Sequence, residues 1–152
     1  MNLYNLHSKP ESLDHFEKVS ETNPASFWEK YADSKEELKK REKYIAKSPK
    51  FAYQYATDIL KGPFPTGEEA IAKNVGFAFY YARDILKGSF PTAEEAISKD
   101  AVSANAYARY VLKGPFPLGE EAIAKDTRFA KLYAQHVLKK DFYFNGKLIA
   151  KY

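Results

Sequence analysis

The chain repeats itself every 26 residues, and this period constrains its fold more than any other feature. Aligned with itself at that spacing, the sequence returns the same residue types in register without an insertion from residue 43 to 152, about four and a half times. The columns include Ile45, Ile71, Ile97, Ile123 and Ile149; Tyr55, Tyr81, Tyr107 and Tyr133; and Phe64, Phe90, Phe116 and Phe142. Such a period indicates one structural unit repeated along the chain.

Each unit is predicted to be a short helix, a corner, a longer helix and a proline loop. In the second 26-residue repeat Thr66 and Glu69 have the spacing of a capping box, and the neighbouring glutamate side chains lie near the positive end of the helix dipole. Asn74 is expected to cap the longer helix. The residues expected to take this role in the other units are Ser48, Asp100 and Asp126.

The longer helix carries an apolar stripe and a stop signal. In the second 26-residue repeat the stripe consists of Phe77, Ala78, Tyr81, Ala82, Ile85 and Leu86, which recur with helical period. Gly62, Gly88 and Gly114 are predicted to end these helices in the left-handed conformation. A single helix pair cannot bury its own stripe, whereas stacked pairs can. The sequence therefore predicts an all-α fold, an α-solenoid of 26-residue helix-turn-helix repeats.

The two ends differ from the repeat. Residues 1–40 are predicted to form a divergent helical N-terminal cap, continuous with the repeat array of residues 41–152 in one domain. Helices of the cap are expected to start at Ser8, Asn23 and Ser34, with Trp28 and Tyr31 covering the first repeat. Residues 146–152 are predicted to repeat the short helix as a half unit. That half unit either seals the last repeat or pairs with a second copy in a homo-oligomer.

Composition excludes several kinds of chemistry. The chain has no Cys, which excludes disulfides, thiolate nucleophiles and cysteine-based zinc sites. His7, His15 and His136 lie far apart without metal-ligand spacing. We find no phosphate-cradling glycine loop and no nucleophile motif, so neither an enzyme nor a cofactor is expected. No signal peptide or apolar run of about 20 residues is recognisable, and a cytoplasmic location is therefore expected.

Function is expected in the columns that vary between repeats. On the longer helices these are predicted to be exposed and to line up as one ladder: Tyr53, Gln54, Thr57 and Asp58; Phe79, Tyr80, Arg83 and Asp84; Asn105, Ala106, Arg109 and Tyr110; Lys131, Leu132, Gln135 and His136. Tyr and Arg are favoured anchors of protein interfaces. The candidate partner-binding residues are Tyr53, Phe79, Tyr80, Arg83, Arg109, Tyr110, Lys131 and His136. The alternative is a solvated face whose aromatic residues pack between repeats.

Nucleic acid is the less favoured partner. Arg83, Arg109, Arg128 and Lys131 near Tyr80 and Tyr110 have the chemistry to stack bases and hold phosphates. The net charge is only +4, however, and residues 62–87 and 88–113 each carry three basic and three acidic residues. Nucleic-acid-binding domains usually concentrate positive charge more strongly.

The motif Glu-Glu-Ala-Ile-Ala-Lys-Asp, with Tyr-Ala-Arg-Asp-Ile-Leu-Lys-Gly-x-Phe-Pro, resembles short α-helical repeat proteins of tailed bacteriophages, most of them uncharacterised. The resemblance covers residues 43–152 and, more loosely, the N-terminal cap. The chain departs from the motif at Leu118, in place of a capping Thr, and at Lys140-Asp141, in place of Gly-Pro. The resemblance implies an accessory protein in the cytoplasm of the infected host cell.

The function expected from residues and resemblance together is non-enzymatic. The protein is expected to bind a host or phage protein and to modulate or inhibit a host factor of defence or transcription. The alternatives are a nucleic-acid-binding repeat protein and a virion structural component.

Overall fold

The computed structural model describes residues 35–152, which belong to two compact units that divide between Ala70 and Ile71. The predicted helix starts at Ser8, Asn23 and Ser34, and the rings of Trp28 and Tyr31, lie outside the described residues. The N-terminal cap therefore stays a prediction.

The described part of the first unit is helical. Its helices are α1 (Lys35–Lys40), α2 (Glu42–Ile45) and α3 (Pro49–Gln54), which continues as the π-helical segment π1 (Tyr55–Leu60). A 3-10 turn, Pro65–Gly67, leads into α4 (Glu68–Ala72). The sequence thus gives a short helix, a longer helix and a proline loop in the predicted order.

The second unit repeats this arrangement and ends in a hairpin. Its elements are α5 (Val75–Tyr80) with π2 (Tyr81–Leu86), α6 (Pro91–Ile97), α7 (Ala101–Tyr107) with π3 (Ala108–Leu112), the 3-10 turn Pro117–Gly119, α8 (Glu120–Lys125), α9 (Thr127–Tyr133) with π4 (Ala134–Leu138), β1 (Phe142–Phe144) and β2 (Lys147–Ala150). The longer helix α7 packs against α5 on one side and α9 on the other. The predicted repeat of helix pairs is confirmed.

Side chains cap the longer helices as predicted. The Asn74 side chain accepts the Phe77 N–H at 3.0 Å, and the Asp100 side chain accepts the Ser103 N–H at 2.8 Å. Ser48 and Asp126 act in the same way. Each cap satisfies a backbone donor that the first helical turn leaves without a partner.

The predicted capping box at Thr66 is wrong. Thr66 lies inside the 3-10 turn Pro65–Gly67, whose N-cap residue is Phe64, and Phe64 makes no side-chain capping bond. Pro65 starts the turn because its ring fixes φ near the helical value and it has no N–H to satisfy.

The longer helices also end differently from the prediction. Lys61, Lys87, Lys113 and Lys139 adopt the left-handed conformation, with φ between 50° and 54°, whereas Gly62, Gly88 and Gly114 do not. Since each longer helix finishes as a π-helix, its last turn is wider by one residue. In π3 the N–H groups of both Lys113 and Gly114 consequently donate to the Ala108 carbonyl. The left-handed residue is therefore the lysine before each glycine.

The predicted apolar stripe is only partly buried in the second repeat. Ala78, Tyr81 and Ala82 are fully buried, as the stripe predicts. Ile85 and Leu86, in the last turn of π2, are only half-buried. The counterparts of Ile85, which are Ile59 in π1 and Val111 in π3, are buried, so the last turn of the stripe reaches the core in some repeats and not in others.

A buried tyrosine connects three parts of each repeat. The Tyr107 hydroxyl accepts the Phe90 N–H at 2.6 Å and donates to Glu94 Oε1 at 2.9 Å, and the Tyr107 ring lies 5.1 Å from the Phe116 ring. Tyr133 makes the same contacts one repeat later, with Phe116, Glu120 and Phe142. In the first unit the Tyr55 hydroxyl donates to Glu42 at 2.9 Å and its ring lies 5.0 Å from Phe64. The tyrosine thus joins the proline loop before it, the short helix and the loop after it.

These contacts show a role that sequence analysis missed. The first glutamate of each pair was assigned to the helix dipole alone, and Glu94 and Glu120 do lie in first turns. Each also accepts the hydroxyl of the tyrosine 13 residues later. The second glutamates, Glu95 and Glu121, form exposed ion pairs with Lys99 and Lys125. Exposed pairs of this kind contribute less than about 1 kcal/mol.

The predicted C-terminal half-unit helix is wrong, because residues 142–150 form a β-hairpin. Phe142 pairs with Ala150 and Phe144 with Lys147, with a bulge after Phe142. Asn145 and Gly146 turn the chain with φ of 49° and 74°, the two positive values of a type I′ turn. The Asn-Gly pair between aromatic and β-branched residues was the local signal for this hairpin.

The hairpin packs against α9 and seals the last repeat with the same aromatic contact as the helical units. The Phe142 ring lies 5.1 Å from Tyr133 and is buried. The phenylalanine column therefore keeps its role although the secondary structure around it changes.

Tyr107→Phe is expected to destabilise the protein by about 1–3 kcal/mol, since the buried Phe90 N–H loses its acceptor. Chemical denaturation measures the change. Tyr143→Phe is the matched control, because Tyr143 is 56% exposed on the hairpin, and it should change stability by less than about 0.5 kcal/mol. Equal effects of the two substitutions would contradict the role of the Tyr107 hydroxyl.

The stability of the protein is expected to fall as the pH rises above about 10. Burial raises the pKa of Tyr107 above its usual value of 10, and the bond to Glu94 adds to the shift. Because the unfolded chain then loses a proton that the folded chain retains, stability is present below that pH and lost above it. Tyr107→Phe should reduce the slope of unfolding free energy against pH between about pH 10 and 11. A slope unchanged from wild type would contradict this.

Gly146→Ala is expected to destabilise the hairpin by roughly 1 kcal/mol, because a Cβ strains the left-handed backbone at φ 74°. Gly88→Ala is the control, since φ there is not positive and the added Cβ meets nothing closer than 3.9 Å. Thermal unfolding distinguishes the two. A larger loss for Gly88→Ala would contradict the assigned turn.

Candidate functional site

The structure exposes about half of the predicted ladder positions, and the others are half-buried or buried. Among the candidate partner-binding residues, the exposed ones are Tyr80, Arg83, Tyr110, Lys131 and His136, and the half-buried ones are Tyr53, Phe79 and Arg109. Tyr53 belongs to the first unit and the other seven to the second.

Asn105 is not an exposed ladder position. It is 5% exposed, and its Nδ2 donates to the Phe129 carbonyl at 3.1 Å, which joins α7 to α9. The Asn105 side chain therefore contributes to packing between α7 and α9, whereas Lys131, at the same repeat position, is exposed. The prediction that Asn105 faces solvent is wrong.

Arg83 is the centre of a cluster on the exposed side of α5 and π2. Its guanidinium lies 4.8 Å from the Tyr80 ring and 5.5 Å from the Phe79 ring. Its Nε and Nη2 donate to the two Asp84 carboxylate oxygens at 2.6 and 2.8 Å. That hydrogen bonding lowers the pKa of Asp84. The cluster therefore holds a flat cation and an exposed tyrosine in a defined arrangement.

An open cleft of about 350 Å³ lies between π2 and π3. Its lining residues are Arg83, Asp84, Lys87, Tyr110, Val111 and Lys113. Three of these, Arg83, Asp84 and Tyr110, belong to the predicted ladder. The ladder residues Lys131 and His136 do not line the cleft.

The cleft carries a small positive excess beside an aromatic ring. Three cations line it, and its one carboxylate, Asp84, is bound by Arg83. Tyr110 is 50% exposed, and the Arg109 guanidinium lies 5.0 Å from its ring. The cleft can therefore attract an anionic group and offer an apolar contact beside it.

Sequence analysis missed Lys87 and Lys113, although the recurring Lys-Gly pair at the period of 26 was visible. The left-handed conformation costs a residue with a Cβ roughly 1–2 kcal/mol, and a lysine at a helix C-terminus recovers about 0.3–1 kcal/mol from the dipole. The dipole thus recovers only part of the cost of the left-handed backbone. Backbone energetics therefore do not explain why the chain has lysine rather than glycine at these positions.

The described residues show few other features that suggest chemistry. Between residues 35 and 152 no group of three or more His, Asp and Glu side chains is arranged to hold a metal ion. Over the same residues, no helix has the length and apolar character needed to cross a membrane. His136 is exposed. His7 and His15 lie outside the described part of the chain.

Comparisons with known proteins add no relative: no protein-family model, curated protein or solved structure matches the chain.

Lys113→Gly is expected to leave the free energy of unfolding within about 1 kcal/mol of wild type. Relief of the strained φ of 54° offsets the lost dipole interaction and the added freedom of the unfolded chain. Lys113→Val should destabilise by about 1 kcal/mol or more, since a β-branched residue is still less tolerant of positive φ. Chemical denaturation measures both. Greater stability of the Val variant would contradict the assigned backbone.

Proposed function

We propose that this protein is a non-enzymatic interaction protein whose second unit binds a partner protein through the exposed face around Tyr80, Arg83 and Tyr110. The observation that carries the proposal is the cleft between π2 and π3, with Arg83 ion-paired to Asp84 and an exposed tyrosine at its side. Tyr and Arg are the residues that most often dominate the binding energy of protein interfaces.

The rigidity of the repeat supports this proposal. Tyr107 and Tyr133 are fully buried and hydrogen-bonded, so the helices that carry the exposed residues have fixed positions. The Arg83 guanidinium is also ion-paired with Asp84 and lies over the Tyr80 ring. Preorganised side chains lose less conformational entropy on binding, which favours a specific partner.

The biological setting that we propose comes from the resemblance to repeat proteins of tailed bacteriophages. In that setting the protein acts in the cytoplasm of the infected bacterium, and its partner is a host protein of defence or transcription that it modulates or inhibits. Binding between two phage proteins is the alternative within the same class.

A nucleic-acid-binding function is the second candidate. The observation in its favour is that guanidinium groups lie over tyrosine rings, at 4.8 Å for Arg83 and Tyr80 and at 5.0 Å for Arg109 and Tyr110. Such pairs resemble the stacking platforms of single-strand binders. Asp84 in the cleft and the low net charge of +4 argue against a long polyanion.

The test is capture of partners from host lysate by the tagged protein, with and without nuclease. Tyr80→Ala combined with Arg83→Ala is expected to reduce a captured protein at least about tenfold, since interface anchors of this type contribute about 2 kcal/mol or more each. Both residues are exposed, so circular dichroism and the melting temperature should stay close to those of wild type. Tyr143→Ala with Lys147→Ala, on the exposed hairpin, is the matched control and should keep full capture.

Three results would contradict the proposal. One is capture that disappears on nuclease treatment, which would favour nucleic acid. Another is a stoichiometric amount of the protein in purified virions, which would favour a structural role. The third is equal loss of capture in the control variant, which would place binding at the hairpin, where a second copy of this chain is one candidate partner.

A further inference from the structure

We propose that the cleft between π2 and π3 binds a short acidic segment of the partner protein, with Lys87 and Lys113 holding its carboxylates. This inference rests on the proposed function, since it requires that the partner be a protein. It names a site and residues that the variable columns did not indicate.

The positions of the two lysines carry the argument. Lys87 ends π2 and Lys113 ends π3, and both line the cleft. Both are exposed, and within residues 35–152 neither lysine side chain has an ion-pair or hydrogen-bond partner. By contrast, Lys99 and Lys125 on the short helices are paired with glutamates. The two cleft lysines are therefore available to a ligand in a way that the short-helix lysines are not.

The aromatic side of the cleft determines what the segment contains besides carboxylates. Tyr110 and Val111 lie on the π3 wall, and Tyr110 is 50% exposed. An apolar residue beside the carboxylates would bury part of the exposed Tyr110 ring and gain contact there. We therefore expect a segment in which glutamate or aspartate flanks an aromatic or aliphatic residue.

The charge balance favours such a segment over a nucleic acid. Asp84 lies in the cleft, and each helix C-terminus adds roughly half a negative charge. A short peptide can place its carboxylates at the two lysines and end there, whereas a polyanion cannot.

The test uses a fluorescent peptide of about ten residues, with six glutamates around one phenylalanine. Fluorescence anisotropy with the full chain should show saturable binding that weakens steeply between about 50 and 500 mM salt, because the charges are partly exposed. The same peptide with glutamine at each glutamate should not bind. Lys87→Gly combined with Lys113→Gly should weaken binding of the acidic peptide by about tenfold or more.

Glycine is the informative substitution because it suits the left-handed backbone, so the fold is retained when the charge is removed. Lys61→Gly combined with Lys139→Gly is the matched control. It makes the same change twice, at left-handed, exposed lysines that do not line the cleft. The control should bind the acidic peptide like wild type. Lys87→Arg with Lys113→Arg should retain most binding.

Several outcomes would overturn the inference. One is that the acidic peptide does not bind the wild-type protein. Others are that the control variant loses as much peptide binding as the cleft variant, or that the cleft variant loses none. A further one is that a single-stranded oligonucleotide binds more tightly than the peptide and that the cleft variant abolishes this binding. If capture of a protein from lysate still depends on Tyr80 and Arg83 while the peptide does not bind, the proposed function stands and only the acidic segment is wrong. If the peptide does not bind and capture of a protein does not depend on Tyr80 and Arg83, the proposed function is wrong as well.

Discussion

The structure depends on one buried hydroxyl group in each repeat. The Tyr107 hydroxyl satisfies the Phe90 N–H of the preceding loop and is itself satisfied by Glu94, while the ring packs on Phe116 of the following loop. A buried polar group without partners is costly, so each of these groups requires the others to be in place. In the second unit Tyr133 repeats the bond one period later, which makes successive helix pairs adopt the same geometry.

This constraint also shapes the surface where binding is proposed. At or just after the tyrosine, the longer helix becomes a wider π-helix, which turns through a left-handed lysine. π2 and π3 then form the two walls of the cleft, with Lys87 and Lys113 at their ends. The buried tyrosine contacts thus recur from repeat to repeat, whereas exposed residues such as Tyr80 and Tyr110 lie at positions that vary between repeats.

The candidate site was only partly predictable from the sequence, for reasons that differ among residues. Tyr80, Arg83 and Tyr110 were found because they interrupt an otherwise constant pattern and lie opposite the apolar stripe. Asn105 belongs to the same columns but is buried, because its amide reaches the Phe129 carbonyl on the next helix, a contact 24 residues away. Lys87 and Lys113 recur at the 26-residue period, so the columns that vary between repeats did not indicate them.

The sequence by itself determined the period, the helix pairs, the caps at Asn74 and Asp100 and the burial of the tyrosine column. These depend on interactions within about four residues or on helical periodicity, which are visible in the order of residues. Tertiary structure alone decided that Glu94 and Glu120 receive tyrosine hydroxyls and that two lysines line a cleft. Those features join residues 13 or more positions apart through packing, which residue order does not specify.

The C-terminal hairpin was partly predictable from the sequence. Asn145-Gly146 was a local turn signal, while residues 149–151 match the short-helix residues of the earlier repeats and pointed to a helix. Because no acidic first turn precedes those letters, the strand pairing and the contact of Phe142 with Tyr133 prevailed.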